Sequence, residues 1–273
     1  MGSRPENSAP PDIYYNRHEA RKYTNNSRII EVQTDMAERA LELLALSPCS
    51  ISDMDDVLSP YVLLDLGVGS GLSAHVLSST GHHWVGLDIS QDMLDVAKTR
   101  QADQELSPLG DLILGDMGQG IPLRPGSIDG AICISALQWL FYSHSSTHDP
   151  RSRLKRLFTT LYSCLGHGSR AVFQFYPEHR DQIDLALGIA MRVGFTGGLV
   201  IDYPNSTKRK KYFLCLIAGH SHSISNSLDA IKFTLPQGKT GDVRLMRGHE
   251  QIGQTQLQGR VAHMVTVHHP YLI

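Results

Sequence analysis

Three aspartates stand at the ends of apolar runs, where a carboxylate could hold a small polar ligand. Asp65 closes Tyr61-Val62-Leu63-Leu64, Asp88 closes Trp84-Val85-Gly86-Leu87, and Asp116 follows Leu112-Ile113-Leu114-Gly115. Directly after Asp65 comes Gly67-Val68-Gly69-Ser70-Gly71, and then Leu72 to Leu77, which reads as a helix. Strand, glycine turn and helix open a nucleotide-binding βαβ unit. The glycines let the chain turn tightly and let a ligand approach main-chain atoms that a Cβ would block. A dinucleotide fingerprint counted from Gly67 would need its third glycine at Leu72; here the glycines sit at 67, 69 and 71.

The run D-x-G-x-G-x-G resembles motif I of the class I S-adenosylmethionine (SAM) methyltransferases. SAM has no pyrophosphate to cradle, but it has an ammonium and a carboxylate. The resemblance therefore implies that Asp65 faces the ammonium, directly or through water. The amides of Gly67, Gly69 and Gly71 would face the carboxylate. Asp88, roughly 20 residues past the loop, is placed to accept ribose hydroxyls, with Ile89 beside it in the same site. Ser90 is the better N-cap for the helix that follows. Asp116 would accept the adenine amino hydrogens. Met117 serves either the ring face or the core.

Positioning these carboxylates requires a sheet. Apolar strands are expected at 61–66, 83–88, 110–115, 128–135, 169–175, 197–203 and 211–217. Helices are expected at 70–79, 90–100, 151–165 and 178–193. Alternation of this kind implies an α/β fold, a doubly wound, mostly parallel, Rossmann-like sheet of seven strands covered on both faces. Only seven polar residues join the last two strands, too few for a crossover, so these strands should pair antiparallel. Two N-terminal helices precede the sheet, at 16–24 and 27–46. The second places Ile30, Met36, Ala37, Ala40, Leu41 and Leu44 near one face. Residues 1–12 read as a disordered N-terminus, 13–217 as the domain, and 218–273 as a weakly ordered tail with a short strand near Val261–Val267. Residues 47–59 read as an acidic loop.

Composition sets limits. The 273 residues are 41% apolar, enough for a sizeable core, and the formal charge of −2 supplies no global field for nucleic acid. The four cysteines (Cys49, Cys133, Cys164, Cys215) have no metal-ligand spacing, and the tail histidines fit no ligand set, so no metal is expected. No apolar run approaches the ~18 residues of a membrane span, and the polar N-terminus has no signal core.

Several further stretches resemble one family, the eukaryotic 18S rRNA (guanine-N7) methyltransferases of small-subunit biogenesis. They are Glu19-Ala20-Arg21-Lys22-Tyr23, Trp84 to Ser90, Leu114 to Pro122, Ile134 to Leu140, Gly168 to Val172, and Asp202-Tyr203-Pro204-Asn205-Ser206. The resemblance implies methyl transfer to guanine N7. That atom has a lone pair and no proton to lose, so no general base is needed and no residue is singled out as catalytic. Substrate-pocket candidates are Gln138 on the guanine edge, Trp139 as a stacking or core aromatic, and Tyr176, Tyr203 and Asn205 as walls. RNA-binding candidates are Arg17, Arg21 and Lys22, and the turn Lys208-Arg209-Lys210-Lys211. A third basic cluster, Arg151, Arg153, Lys155 and Arg156, opens a helix.

The resemblance also implies a partner, a small zinc-binding methyltransferase activator protein pairing with edge strand 111–115, and action in the nucleus (nucleolus) and cytoplasm. Cover of that edge by the chain's own tail or by a second copy stays open. Family members end in a Lys/Arg-rich extension, whereas residues 218–273 here hold five Lys/Arg and three Asp/Glu. A small-molecule SAM methyltransferase and a ribosome-assembly scaffold are the alternative functions.

Overall fold

The computed structural model describes residues 4–46, 60–103, 106, 109–145, 148–219 and the short strands at 232–233, 244–246 and 262–263. The acidic loop at 47–59, Cys49 and most of the tail, with all its histidines but His263, lie outside the described residues.

The central sheet follows the expected alternation. Its strands are β1 (Val62–Leu66), β2 (His83–Asp88), β3 (Gly110–Leu114), β4 (Ile128–Ile134), β5 (Leu165–Phe175), β6 (Thr196–Asp202) and β7 (Lys211–Ile217). Their spatial order is β3-β2-β1-β4-β5-β7-β6. The first five run parallel. The hairpin then inserts β7 antiparallel between β5 and β6, as the short connection requires. The tail adds what the sequence pattern did not show: β9 (Arg244–Met246) pairs antiparallel with β6 as an eighth strand. The short strand expected near Val261–Val267 is β10 (Ala262–His263), and it pairs with β8 (Lys232–Phe233).

Both faces of the sheet are buried, which is why its strands read as continuous apolar runs. On one face α3 (Ser27–Leu44), α4 (Leu72–Ser79) and α5 (Gln91–Ala102) cover a cluster that includes Leu63, Trp84, Ile132 and Phe213. On the other, α6 (Pro150–Cys164) and α7 (Arg180–Val193) cover Leu64, Leu66, Phe158, Phe173 and Leu214. Asn16, Asn26, Ser90 and Asp149 cap α2 (Arg17–Thr24), α3, α5 and α6, each accepting amide hydrogens of the first turn.

Two N-terminal expectations are corrected. The first dozen residues are not a free arm. From Arg4 they form a 3₁₀ turn (Pro5–Asn7) and a single helical turn, α1 (Pro11–Tyr14). The Arg4 guanidinium donates to the carbonyls of Tyr176 (2.9 Å) and Pro177 (3.2 Å), which pins the segment across the sheet's carboxyl edge. In α3, Ile30 is exposed, and Leu43, which was not among the expected face residues, is buried near the helix end. Arg39 also lies on the buried face, where it donates to both Asp202 oxygens (2.9 and 3.2 Å) and to Glu42 (3.0 Å).

Candidate functional site

The strand order reverses between β1 and β4, and doubly wound sheets bind ligands at that switch point. A cleft of about 770 Å³, counted out to its open mouth, lies there. Gly67, Gly69 and Gly71 all have positive φ (76°, 56° and 83°), so the loop folds back over the carboxyl end of β1. A Cβ on Gly67 would strike the Ala136 side chain, and one on Gly69 would come within 3.1 Å of Met93. The Arg100 guanidinium braces the loop by donating to the Ser70 carbonyl (2.7 Å).

Asp88 and Asp116 line the cleft, with Ile89, Met117 and Trp139. Asp88 is fixed by the amides of Gly69 and Ser90, both at 2.8 Å. Burial nevertheless pushes its carboxyl above the usual carboxylate range, against the pull of those amides. Asp116 accepts the Gly118 amide (2.8 Å) and is held by Arg153 at 2.8 and 2.9 Å. Arg153 was grouped with the exposed cations of its helix start. It is in fact 4% exposed, lines the cleft and lies against the bare face of Gly118.

Asp65 stands behind the loop rather than in the cleft. It is fully buried, its Oδ2 accepts the Ser73 hydroxyl (2.6 Å), and its Oδ1 has no partner among the described residues. Desolvation pushes its carboxyl up to about 7. Gly71 is the N-cap of α4. Gln138 turns back to the Ser135 carbonyl (2.8 Å), leaving its buried Oε1 without a partner among the described residues. Tyr176, Tyr203 and Asn205 are not in the cleft; they follow β5 and β6, farther along the carboxyl edge. Arg17, Arg21 and Lys22 are exposed on α2, where Lys22 pairs with Glu19 (3.2 Å).

Several cleft residues were missed by sequence. Pro11, Tyr15, Tyr23 and Gln33 wall it from the N-terminal elements. Tyr15 packs edge-on to Tyr23 and Trp139, each 5.8 Å away, and burial raises both phenols. Ser135, after β4, takes a left-handed φ of 56°. Its amide and hydroxyl donate to Gln174 (3.1 and 2.9 Å), and Gln33 donates to its hydroxyl (3.2 Å). Gln174 was visible as the one polar residue inside Ala171-Val172-Phe173-Gln174-Phe175, and it is fully buried. Nothing in the local pattern distinguished Tyr15 or Arg153.

These features fit SAM. The cleft carries two carboxylates for an adenosyl group. The glycine amides expected to face the cofactor carboxylate are instead engaged within the protein, Gly67 donating to the Leu87 carbonyl (2.7 Å), Gly69 to Asp88 (2.8 Å) and Gly71 to the Val68 carbonyl (2.9 Å), so the loop shapes the cleft by its turn. Behind it lie a buried carboxylate oxygen and the Ser70 hydroxyl, both without a partner among the described residues. A family model described as a methyltransferase domain matches residues 64–173. The fold is shared with a Haemonchus contortus phosphoethanolamine N-methyltransferase (15% identity, 76% of this chain and 58% of that one, TM-score 0.56). It is shared also with a TehB-like SAM-dependent methyltransferase from Corynebacterium glutamicum (18% identity, 74% and 99%, TM-score 0.51). Fold and cleft thus define a SAM-dependent methyltransferase. The chain is 55% identical to the Arabidopsis thaliana 18S rRNA (guanine-N(7))-methyltransferase RID2 over 80% of its own length and 71% of the relative's. It is 51% identical to the Mus musculus 18S rRNA (guanine-N(7))-methyltransferase over 82% and 75%. It belongs to the 18S rRNA (guanine-N7)-methyltransferase family.

Proposed function

We propose that this chain methylates N7 of a guanine in 18S rRNA during small-subunit biogenesis. The observation that carries the reading is the intact SAM cleft in a chain about half identical to these enzymes over four fifths of its length. SAM supplies an electrophilic methyl on a sulfonium. Guanine N7 attacks with its own lone pair, so the chain need not remove a proton. The carboxylates at the cleft are already engaged, Asp88 by loop amides and Asp116 by Arg153, and neither is poised as a base. What the residues contribute is orientation and exclusion of water. The Ser135 turn, held by Gln174 and Gln33, sets the wall at the end of β4. Trp139 is 5% exposed and packed against Tyr14 and Tyr15, so it serves as a rigid wall of the cleft against which the guanine is oriented.

The β3 edge supports the reading of a protein partner. Leu114 is 55% exposed and Leu109 40%, and among the described residues no strand pairs with the outer side of β3. An apolar open edge is a liability that a partner strand removes. We assign it to the small zinc-binding activator protein, and we place the enzyme in the nucleus, its nucleolus, and the cytoplasm with small-subunit precursors.

The test is methyl transfer from labelled SAM to small-subunit precursor RNA, with the activator co-expressed and the site mapped by N7-specific cleavage. We expect cleavage at a single guanine, absent in Gly69→Glu, whose side chain enters the cleft from a left-handed position. SAM binding without RNA labelling would instead favour a small-molecule substrate or a scaffold. Undiminished SAM affinity in Gly69→Glu would overturn the site assignment.

A further inference from the structure

A second cavity opens at the same carboxyl edge, between the start of α7 and the β6–β7 turn, of about 650 Å³ counted out to its open mouth. Its lining includes the buried apolar side chains of Ile183 and Ile201, with Tyr212, Pro177 and Pro204. Its rim carries Arg180 and Lys210. The combination matches the chemistry of one nucleotide, a base with flat faces that pack on apolar side chains and an anionic phosphate. We propose that this cavity holds a nucleotide of the RNA strand flanking the guanosine in the cleft; this rests on the function proposed above.

Position supports the assignment. β6 lies three strands beyond β4 in the sheet, which at the usual spacing is about 15 Å from the cleft wall. That is within reach of an adjacent stretch of a single strand. The cavity is also tied to the elements that wall the cleft. Tyr142, just after the turn bearing Trp139, donates to Glu178 on the cavity rim (2.6 Å). Arg4, from the segment bearing Pro11 and Tyr15, donates to the carbonyl of Pro177.

Charge supports it as well. The turn from Tyr203 to Tyr212 contains four cations and no acid. Two of the four are occupied by aromatic partners: Arg209 lies over the Tyr203 ring at 4.2 Å, and the Lys211 ammonium donates to the Tyr176 hydroxyl (3.0 Å). The ammonium of Lys210 makes no hydrogen bond or ion pair with the described residues. Arg180 pairs only loosely, with Asp184 at 3.8 Å on an exposed helix face, an interaction too weak to withhold it from a phosphate. The acid on the rim, Glu178, is engaged by Tyr142. Tyr203 itself is held at a left-handed φ of 51°, a strained conformation of the kind that collects at binding sites.

The experiment uses the full chain with its activator. Arg180→Gln/Lys210→Gln is compared with Lys98→Gln/Arg124→Gln, which removes the same charge from exposed positions away from this edge. The probe is a short single-stranded oligoribonucleotide containing one guanine, titrated between about 50 and 200 mM salt. We expect the first variant to bind RNA at least tenfold more weakly and to lose roughly 0.7 in log–log salt slope per phosphate contact removed. Affinity for S-adenosylhomocysteine should be unchanged, and the KM for RNA should rise while kcat at saturating RNA holds. Equal RNA affinity and slope in both variants would overturn the inference. Wild-type protein that binds no RNA would overturn the proposed function as well, so the two failures are distinguishable.

Discussion

Asp65 is the residue whose chemistry depends most on where the chain puts it. Burial raises its carboxyl to about 7, opposed only by the Ser73 hydroxyl. Between the ordinary carboxylate range and 7 the folded chain keeps a proton that the unfolded chain has lost. Asp65 therefore favours folding at low pH, and this contribution is lost as pH rises through that window. A cationic ammonium near the loop favours ionised Asp65, so cofactor binding should release a proton. Affinity for S-adenosylhomocysteine is expected to rise with pH up to about 7 and then level off, by at most about tenfold per unit. Asp65→Asn should bind more weakly with no such dependence. Calorimetry at about pH 6 and 8, in buffers of different ionisation enthalpy, checks both points; a flat wild-type profile would sink the idea. Arg153 acts at the same scale. Arg153→Met leaves Asp116 without its counter-ion inside the cleft, and a loss of about tenfold or more in cofactor affinity is expected, roughly 1.4 kcal/mol.

At the scale of elements, the buried pair Arg39–Asp202 joins α3 to the end of β6, just before the strained Tyr203. Removing one partner strands a charge in the interior, which costs about 3–5 kcal/mol. Arg39→Met should therefore lower the urea midpoint markedly, while the double variant Arg39→Met/Asp202→Leu should recover much of the loss. A double variant no better than the single would mean that the pair contributes little beyond packing. The N-terminal elements owe their position to contacts of the same long range. Arg4 reaches the Tyr176 and Pro177 carbonyls, and the Tyr15 carbonyl accepts the Ser90 hydroxyl (2.9 Å).

For the whole molecule, the sheet has two edges with different fates. At the β6 edge β9 takes up the pairing, whereas among the described residues no strand pairs with the β3 edge, beside exposed Leu114 and Leu109. Leu114→Lys should raise the soluble yield of the chain expressed alone and abolish co-purification with the activator, because a lysine on an open edge opposes strand addition. Retained co-purification would move the partner to another surface. Two of the positive stretches lie at the carboxyl edge with different fates: the β6–β7 turn is largely exposed there, whereas Arg153 is withdrawn into the cleft.

The amino-acid sequence alone determined the βα alternation, the reversed hairpin, the glycine loop and the three strand-end aspartates. Each of these is written locally, in apolar runs, short connections and residues that must be glycine. The apolar pattern of α3 was legible too, except that Ile30 is exposed and Leu43 is buried in addition. Only the tertiary structure decided that Asp65 sits behind the loop while Asp88 and Asp116 line it. Only the fold could bring Tyr15 and Gln33 to a site more than 30 residues away in sequence, or turn Arg153 from a surface cation into the counter-ion of Asp116. Ion pairs and aromatic contacts of this kind are set by spatial proximity across the sheet's edge, and no spacing along the chain encodes them.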